Sequence, residues 1–183
     1  MHNTLTLKTS LIVAALLAWP LAQAATLTKA DYKAGKARIS AEAKNDTAAC
    51  ASFSGNAKDI CVEQAKAKEK VARAELEYGY TARPLDQNRV LVAVAESSYA
   101  VAKERCDDKA GNSKDVCIQE AKAVEVKALA DAKLGQQIGA ARSDAMDAKR
   151  DADYKVAEEK CDALAGGAKS ACVAEAKARF GKT

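Results

Sequence analysis

Apolar residues are mostly small along this chain, and where they recur they do so at steps of three and four. Ile138, Ala141, Ala145, Ala148 and Ala152 form one such series, a heptad-like seam made mostly of alanine. Between apolar positions Lys and Glu alternate, as on solvated helix faces. Val90, Val92 and Val94 alternate as a strand would, but their flanks read as helix. The pattern predicts an all-α chain, with helices over residues 29–53, 58–78, 85–110 and 169–180. Gly79 and then Arg83-Pro84 break it between the second and third helices, since proline disfavours helix at the residue before it. Residues 113–164 carry no proline and read either as one helix of about 78 Å or as two helices meeting near Gly135 and Gly139.

The helical pattern repeats at intervals of about 55 residues. Each copy is anchored by two cysteines eleven positions apart: Cys50 with Cys61, Cys106 with Cys117, and Cys161 with Cys172. A glycine follows each first cysteine by five (Gly55, Gly111, Gly166) and a lysine by eight (Lys58, Lys114, Lys169). Tyr99 and Tyr154 each precede their first cysteine by seven, and are expected to cover the flank of their hairpin. The glycine suits the left-handed position that closes a helix. Asn112 or Ser113 could then cap the next helix, and Asn56 offers the same in the first copy. Each unit is thus expected to be a helical hairpin with its two cysteines opposite one another, equidistant from the bend. The copies run over about residues 30–84, 85–139 and 140–183 within a single helical region, residues 25–183.

Two chemistries compete for the cysteines. One is three structural disulfides, each closing a loop of about 12 residues and contributing roughly 2.5–3 kcal/mol by the chain-entropy argument. The other is a metal or redox site, although zinc sites built on cysteine usually use close pairs such as Cys-x-x-Cys. The N-terminal residues favour the first. Lys8, the apolar run from Leu11 to Ala22 and the small-x-small triplet Ala22-Gln23-Ala24 read as a signal peptide over residues 1–24, cut before Ala25. The rival reading is an uncleaved anchor, but the run is about 12 residues against the roughly 20 that a span needs. An exported chain meets oxidising conditions, where paired cysteines become disulfides.

Loss of that leader changes the chemistry on offer. His2 and Trp19, the one histidine and the one tryptophan, leave with it. Loss of Lys8 lowers the formal net charge by one from +4, a weak field for a nucleic-acid binder. Without histidine the usual serine and cysteine triads and most zinc enzymes are excluded. The carboxylates lie on Lys-rich faces, where Arg73/Glu77, Asp151/Lys155 and Lys155/Glu159 are expected to pair along the helix. No phosphate-cradling glycine loop is present. We therefore expect a non-enzymatic protein with no cofactor and no metal, and no membrane span once the leader is gone. Large side chains are few, so the core should be thin and the shape elongated.

Residues 154–161 (Tyr-Lys-Val-Ala-Glu-Glu-Lys-Cys) and 111–117 (Gly-Asn-Ser-Lys-Asp-Val-Cys), with their Ala-Lys flanks, resemble a group of small exported bacterial proteins often labelled cell-envelope biogenesis or TolA-like. The resemblance covers the mature chain and implies a Gram-negative periplasm and an envelope-associated role, with no catalytic residues to carry over. Two roles follow as expectations. The first is a structural or interaction element whose partner is an envelope or periplasmic protein, or a second copy. The second is a holdase for unfolded periplasmic proteins, for which exposed apolar surface is hard to find in the sequence. The alanine seam either packs on the protein's own helices or serves as a docking face.

Overall fold

The computed structural model describes residues 26–182; the leader assigned to residues 1–24 lies outside them. Five α-helices follow one another: α1 Lys29–Ala49, α2 Gly55–Thr81, α3 Pro84–Cys106, α4 Gly111–Cys161 and α5 Gly166–Phe180. A short 3-10 turn, Cys50–Ser52, extends α1. No strand occurs among the described residues, so the valine alternation at Val90, Val92 and Val94 lies within α3.

Each helix packs only on its neighbours in the chain: α1 on α2, α2 on α3, α3 on α4, and α4 on α5. The first three helices and the start of α4 form one open layer rather than a closed bundle. The core is correspondingly thin. Its buried apolar positions are Ile39, Ala65, Ala93, Ala95, Ala132, Ala176 and the three first cysteines. Small residues let the helices approach: a Cβ on Gly35 would sit 2.6 Å from Leu76 Cδ1 of α2.

Gly79 does not end α2. The helix runs on to Thr81, and the Gly79 carbonyl accepts from the Leu27 amide at 3.0 Å. The reversal falls at Ala82, whose φ is +51°, just before Pro84 opens α3. A buried carboxylate ties this corner together. Asp86 is fully buried, receives Thr81 Oγ1 at 2.6 Å and Arg83 Nε at 2.7 Å on one oxygen, and Arg89 at 2.7 Å on the other. These donors hold its carboxyl below the usual carboxylate range, the Thr81 and Arg83 hydrogen bonds first.

Of the two readings for residues 113–164, the continuous one holds. Helix α4 is 51 residues long, about 76 Å at 1.5 Å per residue. It passes through Gly135 and Gly139 without a break. Isolated glycines weaken a helix by about 1 kcal/mol each relative to alanine, a cost that good helix formers on either side can carry.

Candidate functional site

The three hairpin tips come first, because the repeat is built on them. Disulfides join Cys50–Cys61, Cys106–Cys117 and Cys161–Cys172, with Cα–Cα distances of 5.6, 5.7 and 5.7 Å. The cysteines therefore act as staples, each within its own hairpin. Among the described residues no cluster of His, Cys, Asp or Glu could hold a metal ion. No helix among them is long and apolar enough to cross a membrane.

The bend differs from the symmetric turn expected. Gly55, Gly111 and Gly166 are left-handed, with φ of +56°, +57° and +59°, but each opens the following helix instead of closing the preceding one. The chain leaves the first helix at its cysteine: Cys106 and Cys161 are the last residues of α3 and α4. It then passes through an extended residue (Ser54, Ala110 or Ala165), and glycine turns it directly into the next helix. The second cysteine therefore lies well inside its helix, and the pair is not equidistant from the bend.

The capping expectation also fails. Ala110 occupies the cap position without a side-chain bond, and Ser113 Oγ donates back to the Ala110 carbonyl at 2.7 Å. Asn56 does something else: its side-chain amide donates to the Glu104 carbonyl at 3.0 Å and to Asp108 Oδ1 at 2.7 Å, joining the first tip to the second.

The repeated lysines now have a role. Lys114 pairs with Asp107 at 2.8 Å and Lys169 with Asp162 at 2.9 Å, each spanning its tip from one helix to the next. In the first copy Ala51 stands where the aspartate would be, and Lys58 has no such partner in sequence. The tyrosines close the helix pairs lower down. Tyr32 stacks on Tyr80 at 4.5 Å, Lys122 Nζ lies 4.8 Å from the Tyr99 ring centre, and Tyr154 meets Phe180 edge-on at 6.2 Å.

The alanine seam is the remaining candidate, and it packs on none of the protein's own helices. Residues 133–153 are exposed throughout, including Ala141, Ala145, Ala148 and Ala152, and Ile138 is 59% exposed. On α4 the buried or half-buried positions include Cys117, Ile118, Ala121, Glu125, Ala128, Leu129 and Ala132 in the half that packs on α3, then Tyr154, Ala157 and Cys161 in the half that packs on α5. Helical phase places the seam on the other side of α4 from both. The start of α3 reaches α4 only as far as Gly139, Ala140 and Ser143.

None of the three expected charge pairs forms among the described residues, Lys155/Glu159 included, and in the other two a different partner takes the place. Arg73 bonds Glu69 at 2.6 Å, while Glu77 accepts from the Tyr32 hydroxyl across the α1–α2 contact. Asp151 takes Lys182 from beyond α5 at 2.6 Å. Tertiary neighbours thus outcompete two of the local pairs expected from sequence. Asp86, which sequence reading missed, lies outside the repeat offsets, and Asn56, expected there as a cap, instead bridges two tips in one copy only. A cluster of Thr81, Arg83 and Arg89 around a carboxylate beside Pro84 was the available signal for the first.

Exposed apolar surface is present after all. Leu91, Val94 and Val124 stand open beside a groove of about 580 Å³ between α3 and α4. Three disulfides in a helical chain, with no spanning helix among the described residues, fit an oxidising, exported location. No family model, curated protein or solved structure matches the chain.

Proposed function

We propose that this chain is a non-enzymatic periplasmic protein of the cell envelope, a stapled helical scaffold that engages another protein along α4. The observation that carries the reading is the stretch 133–153, exposed residue by residue, its alanine seam facing away from α3 and α5, yet fixed at both ends by packed, disulfide-closed hairpins. Helices in proteins draw most of their stability from tertiary packing, and this alanine-lined seam, packed on nothing within the chain, lets a second helix approach closely. The signal-like leader, the disulfides and the resemblance to envelope proteins support the compartment.

Photo-crosslinking in the periplasm tests it. A crosslinker at Ile138 or Ala145 of the oxidised protein is expected to trap one reproducible envelope protein. The same group at Arg150, off the seam, is expected to trap far less. No adduct at either seam position would remove the reading.

A second reading, a holdase for unfolded proteins, is favoured by the open groove at Leu91, Val94 and Val124. An aggregation assay with a denatured client, showing no protection at stoichiometric amounts, would dismiss it.

A further inference from the structure

We infer that α4 is one half of an exchanged pair: its bare stripe from Val116 to Val156 takes the same stripe of a second copy, antiparallel, about a two-fold axis near Ile138. This rests on the reading of α4 as a docking helix and names the occupant.

The internal repeat carries it. The cysteine positions set the first copy 56 residues before the second, and the second 55 before the third. Helix α2 is therefore equivalent to the first half of α4, and α3 to the second half. Helices α2 and α3 turn back on one another and pack. The two halves of α4 run straight on, because the corner is missing. Gly139 stands where Pro84 opens α3, and Ala141 where Asp86 is buried.

The two faces that would have met are left bare. On α2, Ile60, Ala67, Ala74 and Tyr78 are half-buried and lie along one side, where Ala67 shares a groove with α3. Their equivalents Val116, Ala123, Ala130 and Leu134 are all exposed, Val116 at 46% and Leu134 at 55%. On α3, Asp86 accepts from Thr81 of α2, and Ser97 lines the α2–α3 groove. Val90 and Ala93 lie on the same side, and all four are buried or half-buried. Their equivalents are Ala141, Ala145, Ala148 and Ala152, again all exposed. Val101 continues the series in that groove, and its equivalent Val156 is 55% exposed. Both sides of the α2–α3 contact thus recur on α4 as one continuous stripe.

A straight helix cannot bring its own two halves together, but a second copy can. Laid antiparallel, the first half of each α4 meets the second half of the other, as α2 meets α3. Exchange of an equivalent element between copies is a low-cost route to a dimer. A copy running the same way would set each half against itself, a pairing found nowhere among the described helices. The register follows from α2–α3, where Lys70 pairs with Glu96. Carried over, it sets Val126 opposite Asp151 and puts the axis between Ile138 and Gly139. Arg142 then falls opposite Gly135 and Asp144 opposite Lys133, so like charges stay apart at the centre. Helices α3 and α5 lie on the other side of α4 and leave the approach open. From Val116 to Val156 the contact is about 60 Å long, and at a helix width of about 10 Å it covers roughly 600 Å² of each copy. That is somewhat below the roughly 800 Å² per partner of a standard interface, so the dimer is reversible.

Sedimentation equilibrium of the oxidised chain, from about 1 µM to about 1 mM, spans the affinity of such a contact. Wild type is expected to move from monomer to dimer across that range. Ala148→Glu should weaken dimerisation at least about tenfold, since it buries a carboxylate in an apolar contact, with helix content unchanged by circular dichroism. Met146→Glu, exposed and off the stripe, should leave it unchanged. In a mixture of isotopically light and heavy chains, a photo-crosslinker at Ala123 should join residues 152–156 of the other copy. Equal weakening by both glutamates overturns the inference, as do links from Ala123 to Ala123. Links from Ala123 to 152–156 confined to one chain overturn it too, since α4 then folds back at Gly135 and Gly139. A monomer at every concentration also overturns it. Periplasmic crosslinking at Ile138 then separates the two claims: an adduct with a different protein keeps the docking reading, and no adduct removes both.

Discussion

The second and third hairpins agree at every repeat position, from the tyrosine through the cysteines to the tip lysine, yet they keep different company. Helix α3 of the second hairpin packs on α2 as well as α4, while α5 of the third packs on α4 alone. Between them lie the exposed residues 133–153. The same local unit thus serves as one member of a layer at one end and as an isolated clasp at the other. Sequence that closes a hairpin does not by itself decide how much tertiary support that hairpin receives. The support comes from neighbours: Asn56 reaching from the first tip to the second, Lys70 pairing with Glu96 between α2 and α3, and Asp86 at the corner below.

The largest expected effect comes from opening the staples one at a time. Each closes a loop of about 12 residues and contributes roughly 2.5–3 kcal/mol. Replacing Cys161 and Cys172 by alanine should release α5, which has no other neighbour. Hydrogen exchange over residues 166–180 should then lose most of its protection. The same replacement at Cys106 and Cys117 should leave the amides of α3 largely protected, because α2 still holds that helix. Equal loss in the two variants would break the comparison.

Next comes the corner of the layer. Asp86 has its carboxyl held below the ordinary range by the Thr81 and Arg83 hydrogen bonds, with Arg89 adding charge. A lowered folded-state pKa means stability fully present above the unfolded value, near pH 4, and lost as pH falls through the folded value. Thermal melts should therefore weaken in acid. Asp86→Asn should lower the melting temperature at neutral pH and narrow the gap between neutral and acid melts. The exchange behaviour of α5 should not change. A variant whose neutral and acid melts differ as much as in wild type would separate the acid response from Asp86.

The smallest effects concern glycine, and they have opposite signs in the two regions. At Gly111, with φ +57° and nothing near the added methyl, alanine should cost about 1 kcal/mol through backbone strain alone. At Gly135, inside α4 and also with open space around it, alanine should stabilise by roughly 0.5–1 kcal/mol. Chemical denaturation of the two variants checks both signs. Slower exchange over residues 133–153 in Gly135→Ala would place the gain in the bare stretch.

Local features were readable from the residues. The cysteine pairing followed from spacing, and the helices fell within a few residues of expectation. The left-handed glycines were recognised but assigned to the wrong side of the bend. Their spacing from the cysteines does not say whether the extended residue before them has already left the helix. Gly79 looked like a stop because Arg83-Pro84 follows it so closely, but only the proline ends the run: α2 continues to Thr81, and the Leu27 amide that meets the Gly79 carbonyl lies in a segment with no helical pattern of its own. The exposure of Ile138 and its alanines was not legible at all. It depends on where α3 begins and where α5 ends, which are facts about other helices. Asp86 was one carboxylate among 25 acidic residues, and its burial depends on a corner that only the folded chain creates.

The disulfides have one consequence that concerns time rather than space. Read from the N-terminus, the bonded cysteines are always consecutive: first with second, third with fourth, fifth with sixth. A chain that enters an oxidising compartment end-first presents each cysteine with its correct mate before any later thiol arrives. Bonding in order of appearance then produces the native set directly, with no need for later reshuffling of mispaired bonds.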